Sequence, residues 1–574
     1  MKKINKYLWL FIASVLVGGV FSACNDDEDL TKADALFRPI INTDDDVVLG
    51  LTPDNVPYVT VAWDKFKDAN KYQVTLKSTD GLDERVVDVD TNFVRFDNLQ
   101  YDTDYNIGVK SMNTVTGLQS KEYSFTVTTA DFPTNLANIS TSDVIDTQVR
   151  VKWMQGVVYD SLAIVKDSDG SFVKGVAVTE EDNAANSKIV TGLDPKTSYR
   201  VLAYVGNSYQ GKKRFTTTAA ESYDGVVFDL RDMDAKESLK WINSDNIDSL
   251  VRENPDQNIN IVLQGGMNYR LETVKLPSTK GTIKFVTGLS LQGNAIWNVT
   301  GNFDLPADVD IAGVTFEKIE FTDDESKPRS SGNFGGTYLF NPQTNAHMGT
   351  LTIQSCVVRY KRGVLRIRST NVVDNVVIDD CIFEYIGGYG ITNVDDANAS
   401  IHNIKVSNST FANCVRMFVN TKNKSGGCTQ SVDIKNCTFV YFSQPSRGII
   451  ELQDDEIPGG ITMKNCLFGP AGELYNKGDV GEGATGIKGW TGAVAPTASD
   501  IYYTSDFVKR MNAEGTDVDN YIEGTVLSTD VTGTFKNPQP GVDAEGNPTL
   551  DPGDYTLISD EANKVKAGDP RWLK

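Results

Sequence analysis

Between residues 37 and 130, apolar positions alternate with polar ones in short runs broken by turn residues: Val59, Val61 and Trp63, then Tyr72, Val74 and Leu76, then Tyr105, Ile107 and Val109. A period of two marks half-buried strands of antiparallel sheets. The same pattern returns between residues 131 and 219, with Val149, Val151 and Trp153 and later Tyr199, Val201 and Ala203. Trp63 and Trp153 stand 90 residues apart, a spacing that suits one sandwich domain each.

Beyond Ala220 the period changes. Leu239, Ile242, Ile247, Leu250 and Val251 share a helical face and predict one short capping helix. A repeat follows, with apolar residues at offsets 0, +2, +5 and +7, clearest in Leu351, Ile353, Cys356, Val358 and in Val376, Ile378, Cys381, Phe383. It recurs at Ile404, Val406, Ser409, Phe411, at Val432, Ile434, Cys437, Phe439, and at Ile461, Met463, Cys466, Phe468. Earlier copies lie at Val314, Phe316, Ile319, Phe321 and around Ile283, Phe285 and Ile261, Leu263, so eight rungs are expected.

The step from +2 to +5 inserts one residue and turns the chain. That residue is Ser355, Asp380, Asn408, Asn436 or Asn465, mostly side chains that tolerate a left-handed bend. Successive rungs at Ile353, Ile378, Val406, Ile434 and Met463 are 25, 28, 28 and 29 residues apart, the spacing of a solenoid. The expected class is all-β: two sandwiches, then a parallel β-helix.

Specific motifs support these elements. Leu99-Gln-Tyr-Asp-Thr-Asp-Tyr105 and Leu193-Asp-Pro-Lys-Thr-Ser-Tyr199 resemble the tyrosine corner of fibronectin type III domains, each with a Trp on an early strand. The rung spacing and Asn bends resemble the pectin-lyase-like right-handed β-helix. The whole chain resembles a group of Bacteroides surface lipoproteins of polysaccharide-utilisation loci that join such sandwiches to such a helix. The resemblance implies fibronectin type III-like domains over 37–130 and 131–219 and a right-handed parallel β-helix over 221–574. It specifies fold better than function.

At the N-terminus, Lys2, Lys3 and Lys6 precede an apolar run over residues 7–21, too short for a comfortable membrane span, which ends in Ser22-Ala23-Cys24. Residues 1–23 read as a secretory signal. The cleavage region resembles a bacterial lipobox with Phe21 in place of the usual aliphatic residue, which makes Cys24 the lipidated mature terminus; an ordinary signal peptide with an incidental cysteine is the alternative. Residues 24–36 form an acidic linker, and Asn25-Asp26-Asp27-Glu28-Asp29 resembles the tag that sends Bacteroidetes lipoproteins to the cell surface. The expectation is a lipid-anchored, surface-exposed protein of the outer membrane.

The chain has 574 residues and a net charge of −22, enough length for a large core and the wrong charge for nucleic acid. Seven cysteines do not form a disulfide framework. Cys356 and Cys381, like Cys437 and Cys466, would stack about 4.8 Å apart in one inward column. Parallel side-chain vectors at that spacing do not meet disulfide geometry, so free buried thiols are expected. Cys428, in the insertion Ser425-Gly-Gly-Cys-Thr, is expected to be solvent-near and reactive.

Related β-helices cleave acidic polysaccharides by elimination with calcium and an Arg or Lys base, or by hydrolysis with paired carboxylates. The two histidines, His347 and His402, are isolated in sequence, which argues against a triad or a zinc site. Asn375-Val-Val-Ile-Asp-Asp-Cys-Ile-Phe383 resembles a pectate-lyase rung, but Asp380 stands where that family carries His. Of the polygalacturonase motifs the pair Asp379-Asp380 alone can be pointed to, and Asp380 reads first as a turn former. Asp395-Asp396 offers carboxylates for calcium or is a solvated loop. No cofactor is fixed by these residues, calcium being the one candidate; no complete catalytic constellation is recognised, and an enzyme on this pattern would be a polysaccharide lyase.

The positive signal is basic. Arg359-Tyr-Lys-Arg-Gly-Val-Leu-Arg-Ile-Arg368 holds five basic residues and no acid. Arg366 and Arg368 alternate around Ile367 on the outer side of a strand. Aligning Leu365, Ile391, Val419 and Ile450 as equivalent inward residues places Arg362, Gly388, Arg416 and Arg447 three positions earlier. Arginines in a column match a polyuronate chain, and Gly388 leaves room for a sugar ring. The expected ligand-binding set is therefore Arg362, Arg366, Arg368, Arg416 and Arg447; the alternative is that they brace bends or pair with acids such as Glu384. The expected function is a cell-surface glycan-binding lipoprotein that captures an acidic, pectin-like plant polysaccharide for uptake through an outer-membrane transporter complex. A pectate-lyase-type polysaccharide lyase and an adhesin are the alternatives.

Overall fold

The computed structural model describes residues 35–323 except 55 and 80, 336–420 except 343–344, 429–442, 448–471, 486–508 except 492–493, 522–538 and 552–574. Cys24, Cys428 and Arg447, with the signal segment and the acidic tag, lie outside the described residues.

The first sandwich pairs a three-stranded sheet (Val47–Leu51, Pro57–Ala62, Phe93–Phe96) with a four-stranded one (Glu84–Val89, Lys71–Ser78, Asp104–Met112, Tyr123–Thr128). Alternation explains its core, because Val59, Val61, Trp63, Val74, Leu76, Ile107 and Val109 all point inward and are buried. The second sandwich repeats the plan with strands Val149–Lys152 and Ser187–Val190 opposite a four-stranded sheet built around Ser161–Lys166 and Ser198–Val205. Both tyrosine corners form. The buried Tyr105 hydroxyl accepts the Gln100 N–H at 3.1 Å, and Tyr199 accepts that of Asp194 at 3.0 Å. Both N-terminal domains are therefore fibronectin type III-like.

From Val226 onward the chain coils into a parallel β-helix with three strand faces per coil. On the first face Ile261, Phe285, Phe316, Ile353, Ile378, Val406, Ile434 and Met463 pair in that order, so the rungs expected from the repeat stack consecutively. Between the first and second faces Ser355, Asp380, Asn408, Asn436 and Asn465 take φ of 48 to 55°, the left-handed bend their position requires. The inward residue at offset +7 forms an aromatic stack, Phe383 on Phe411 at 5.2 Å, Phe411 on Phe439 at 5.2 Å and Phe439 on Phe468 at 4.8 Å. Cys356, Cys381, Cys414, Cys437 and Cys466 are free and buried in the helix.

Two details depart from expectation. The single capping helix is two helices, Ala235–Leu239 and Ser244–Glu253, because Asn243 interrupts the run and its side chain caps the second through the Asn246 N–H at 3.0 Å. Ile242, Ile247 and Val251 still close the hydrophobic core at this end. The C-terminal residues do not continue the coil. Strands Phe535–Asn537 and Asp554–Leu557 pair antiparallel, and with helix Asp560–Val565 they bury Phe535, Tyr555, Leu557 and Ala562 against Ala412, Val440 and Leu467 of the second face.

Candidate functional site

The third face runs through Tyr338–Phe340, Gly363–Ile367, Thr392–Val394, Phe418–Asn420 and Ile450–Asp455. Its register corrects the proposed arginine column. Leu365 pairs with Thr392, Thr392 with Phe418 and Phe418 with Ile450, so Ile391 and Val419 are each one residue out of line. Arg362 is thus level with Tyr389, and Arg416 does not stack beneath it. The strands of this face are short, and each slip of one residue exchanges the inward and outward sides.

The arginines consequently have separate fates. Arg416 makes a two-pronged ion pair with Glu451, at 3.2 Å and 2.6 Å, and that carboxylate is almost fully buried. Arg359 is held by Glu384 at 2.6 Å and Glu320 at 2.8 Å. Arg366 is bonded through Nε to Asp395 at 2.9 Å, with a second contact from its terminal nitrogen. Burial is the largest single influence and opposes the Arg366 charge, but the Asp395 bond together with the charge of Asp395 and the neighbouring tyrosines outweighs it and holds the guanidinium more firmly protonated than usual. Arg368 keeps a buried Nε without a hydrogen-bond partner among the described residues. Calcium ligation by Asp395-Asp396 finds competition here, since Asp395 is tied to Arg366 and Asp396 Oδ1 accepts from Asn398. Among the described residues no group of three or more His, Cys, Asp or Glu side chains has the arrangement of a metal site.

Arg362 is different. No carboxylate of the described residues bonds it; its terminal nitrogen donates to the Tyr389 hydroxyl at 3.1 Å, while its Nε is buried and unpartnered. The guanidinium carbon lies 4.3 Å from the Tyr389 ring centre and 5.8 Å from that of Tyr338. Arg366 approaches the same two rings at 4.7 Å and 5.8 Å, and the rings meet edge to face at 5.4 Å. Gly363 permits this packing, because a Cβ there would stand 2.8 Å from the Tyr389 Cβ and 3.2 Å from Tyr338 Cδ1. Asn393, paired with Arg366 in the ladder, and Asn341 each present a buried Oδ1 with no partner among the described residues. Gly388 meets nothing within 4 Å, which leaves open space beside Tyr389.

Two arginines, two tyrosines and an acid thus share one patch. Burial raises the Tyr338 hydroxyl above its ordinary pKa while the neighbouring arginines pull it back; its ring is almost fully covered, so half-buried Tyr389 is the ring that can offer a face beside the fixed positive charge. Such a patch can stack the apolar face of a sugar ring and grip a carboxylate with a planar fork. Tyr338 and Tyr389 were not singled out in the sequence. The Gly387-Gly-Tyr-Gly390 run, a large ring between conformationally free residues, is the signal that could have found Tyr389.

Asp380 is held in the bend and bonded by Arg571, as a turn former would be. The histidines, isolated in sequence, are not isolated in space. His347 Nε2 reaches Asp374 Oδ2 at 2.9 Å and His402 Nδ1 reaches Asp374 Oδ1 at 3.1 Å, on consecutive strands of the first face. The other ring nitrogen of His347 meets Asp310 at 2.7 Å, and this bond leads in raising the imidazole's pKa.

Residues 273–414 match a family described as a domain of unknown function, DUF4957. No curated protein matches the chain. Solved structures similar to it include a two-domain fibronectin type III segment of chicken tenascin, 16% identical, covering 32% of this chain and 100% of that one at a TM-score of 0.16. The fibronectin domains FN1–FN3 of chicken CNTN1 are 17% identical over 32% of this chain and 68% of theirs, with a TM-score of 0.14. A central fibronectin array of RIM-binding protein is 16% identical over 34% and 65%, with a TM-score of 0.13. These values bear on neither ligand nor activity.

Proposed function

We propose that the chain is a cell-surface carbohydrate-binding lipoprotein that captures an acidic, pectin-like polysaccharide on the third face of its β-helix. The observation that carries this reading is Arg362: a guanidinium without a carboxylate partner among the described residues, laid against Tyr389 and Tyr338. Among the described residues Arg359, Arg366 and Arg416 are neutralised by acids of the chain, whereas Arg362 and Arg368 are not, and of these two it is Arg362 that lies against the tyrosine rings. A uronate supplies a carboxylate for the fork and a ring face for Tyr389. Fibronectin-like domains ahead of a β-helix fit a spacer carrying a binding module, with lipid attachment at Cys24 and transfer to a transporter as the matching cellular setting.

The test is affinity electrophoresis on polygalacturonate and on a neutral glucan. Wild-type protein should be retarded by the polyuronate alone, less so at high salt. Arg362→Ala should weaken binding by about 1.5 to 3 kcal/mol, as expected for a charged contact, and Tyr389→Ala by about 0.5 to 1.5 kcal/mol for the lost ring contact. Equal retardation of a folded Arg362→Ala/Tyr389→Ala double variant would remove this patch from consideration. Release of an unsaturated, ultraviolet-absorbing product would instead place the protein among lyases.

A further inference from the structure

We propose that Ser400, His402 and Asp374 form an activated serine on the first face of the β-helix, able to accept the acyl group of a small ester. The three belong to adjacent coils. Ser400 and His402 alternate on strand Ser400–Ser407 and so share one side of it, while Asp374 stands level with His402 on the neighbouring strand, between the pairs Val373–Ile401 and Asn375–Asn403. Ser400 Oγ lies 3.2 Å from His402 Nε2, and His402 Nδ1 lies 3.1 Å from Asp374 Oδ1. Nucleophile, base and orienting carboxylate are thus linked in the order that acyl transfer requires.

The carboxylate determines the tautomer. Asp374 Oδ1 accepts the proton on His402 Nδ1, which leaves Nε2 as the lone-pair nitrogen facing the Ser400 hydroxyl. The second carboxylate oxygen is occupied by His347 Nε2 at 2.9 Å, and His347 is in turn held by Asp310 at 2.7 Å, so Asp374 is fixed from both ends. Asp374, His347 and Asp310 are positioning residues. Both histidines of the chain are spent on this one array.

In the step itself Ser400 Oγ attacks the ester carbonyl carbon as its proton passes to His402 Nε2. The tetrahedral adduct collapses, the bond to the leaving alcohol oxygen breaks, and that oxygen takes the proton from Nε2. Ser400 is left as an ester. Water, deprotonated by the same nitrogen, then releases the carboxylic acid and restores the hydroxyl. The Ser400 N–H is bonded to Asn371 O at 3.0 Å and is not free to hold an oxyanion. Each missing oxyanion donor costs about 10²- to 10³-fold in both half-reactions, so an ester with a good leaving group acylates Ser400 faster than the alkyl ester so formed is hydrolysed. The half-buried, open sheet face suits a short acyl group presented by a larger molecule, such as an acylated sugar chain.

The test treats the full chain with a fluorophosphonate probe and, separately, with p-nitrophenyl acetate, and maps the modified residue by mass spectrometry. Ser400 should be labelled with one equivalent per chain, and nitrophenol release should show a burst followed by slow turnover. Ser400→Ala should abolish the burst. His402→Ala should slow labelling by about 10²- to 10⁴-fold, the usual worth of a general base, with thermal stability checked alongside. Asp374→Asn should shift the pH profile of labelling, a readout that loss of a merely structural bond would not move. Failure to label Ser400 above other surface serines in the folded protein, or labelling that His402→Ala leaves unchanged, overturns the proposal and marks the array as a surface hydrogen-bond cluster. Neither result depends on glycan binding at the third face.

Discussion

Arg359 Nε donates to Glu384 Oε2 at 2.6 Å, joining two side chains that the parallel register places on neighbouring strands of the second face. Glu384 is fully buried, and its other oxygen accepts the Tyr555 hydroxyl at 2.6 Å and the Gly553 N–H at 2.9 Å. The ion pair is therefore one polar anchor of the C-terminal segment, beside its apolar contacts and the Asp569–Thr410 bond. Removing one partner of a buried pair strands the other charge, so Glu384→Gln should destabilise the β-helix by about 3 to 5 kcal/mol in urea unfolding. Tyr555→Phe should cost about 1.5 to 3 kcal/mol, the worth of a hydrogen bond to a charged group. The two losses should not add, because both act on one carboxylate. Additive losses would mean that the segment is anchored elsewhere.

A second prediction concerns the thiols. Burial pushes Cys356 and Cys466 up to about 12 and raises Cys381, Cys414 and Cys437 as well, so none is a thiolate near neutral pH. An aromatic disulfide reagent should leave all five unmodified in the folded protein at pH 8 and modify all five in denaturant. Reaction of any of them before unfolding would contradict their inward placement.

The inward columns of the first two faces were legible because side-chain alternation and one extra bend residue impose the 0, +2, +5, +7 pattern on every coil. Ser355, Asp380, Asn408, Asn436 and Asn465 could be placed from that rule alone. The third face was not legible to the same degree. Strands as short as Thr392–Val394 and Phe418–Asn420 carry too few alternations to set a register, so Ile391 was matched where Thr392 pairs. The meeting of His347, Asp374 and His402 follows from the first-face register, since Asp374 and His402 each stand four residues before the aligned Ile378 and Val406 and His347 stands six before Ile353. Reading the histidines as isolated along the chain hid it. The docking of Tyr555 and Trp572 follows from no repeat at all.

Asp569 gives a pH-dependent prediction. It is buried beneath the C-terminal turn, where Thr410 donates to it at 2.8 Å, and burial lifts its pKa to about 6 against the partial opposition of Arg571. A carboxyl raised in the folded state keeps its proton longer there than in the unfolded chain. Its contribution is therefore full below about pH 4, the unfolded value, and is lost as pH rises through about 6. Asp569→Asn keeps the turn-capping acceptor for the Arg571 N–H but cannot ionise. Denaturation midpoints should show the variant gaining on the wild type between pH 4 and 7. A constant difference across that window would show that Asp569 titrates normally.

The last prediction tests the bend column. Asn436 sits at φ 51°, donates from Nδ2 to Asn408 Oδ1 at 2.9 Å and accepts from Asn465 Nδ2 at 3.1 Å, so one side chain links three coils. Two separable effects hold it there. The left-handed conformation costs an ordinary residue about 1 to 2 kcal/mol and a β-branched one more, whereas glycine adopts it freely. The two amide bonds are worth about 1 kcal/mol each. Asn436→Gly should thus lose only the ladder, about 2 kcal/mol, while Asn436→Val loses the ladder and adds backbone strain, about 3 to 4 kcal/mol in all. Urea unfolding of both variants reads the difference directly. Equal destabilisation would show that hydrogen bonding rather than conformation selects asparagine at the bend, and an unperturbed Asn436→Val would remove the left-handed bend as the reason the coil turns where it does.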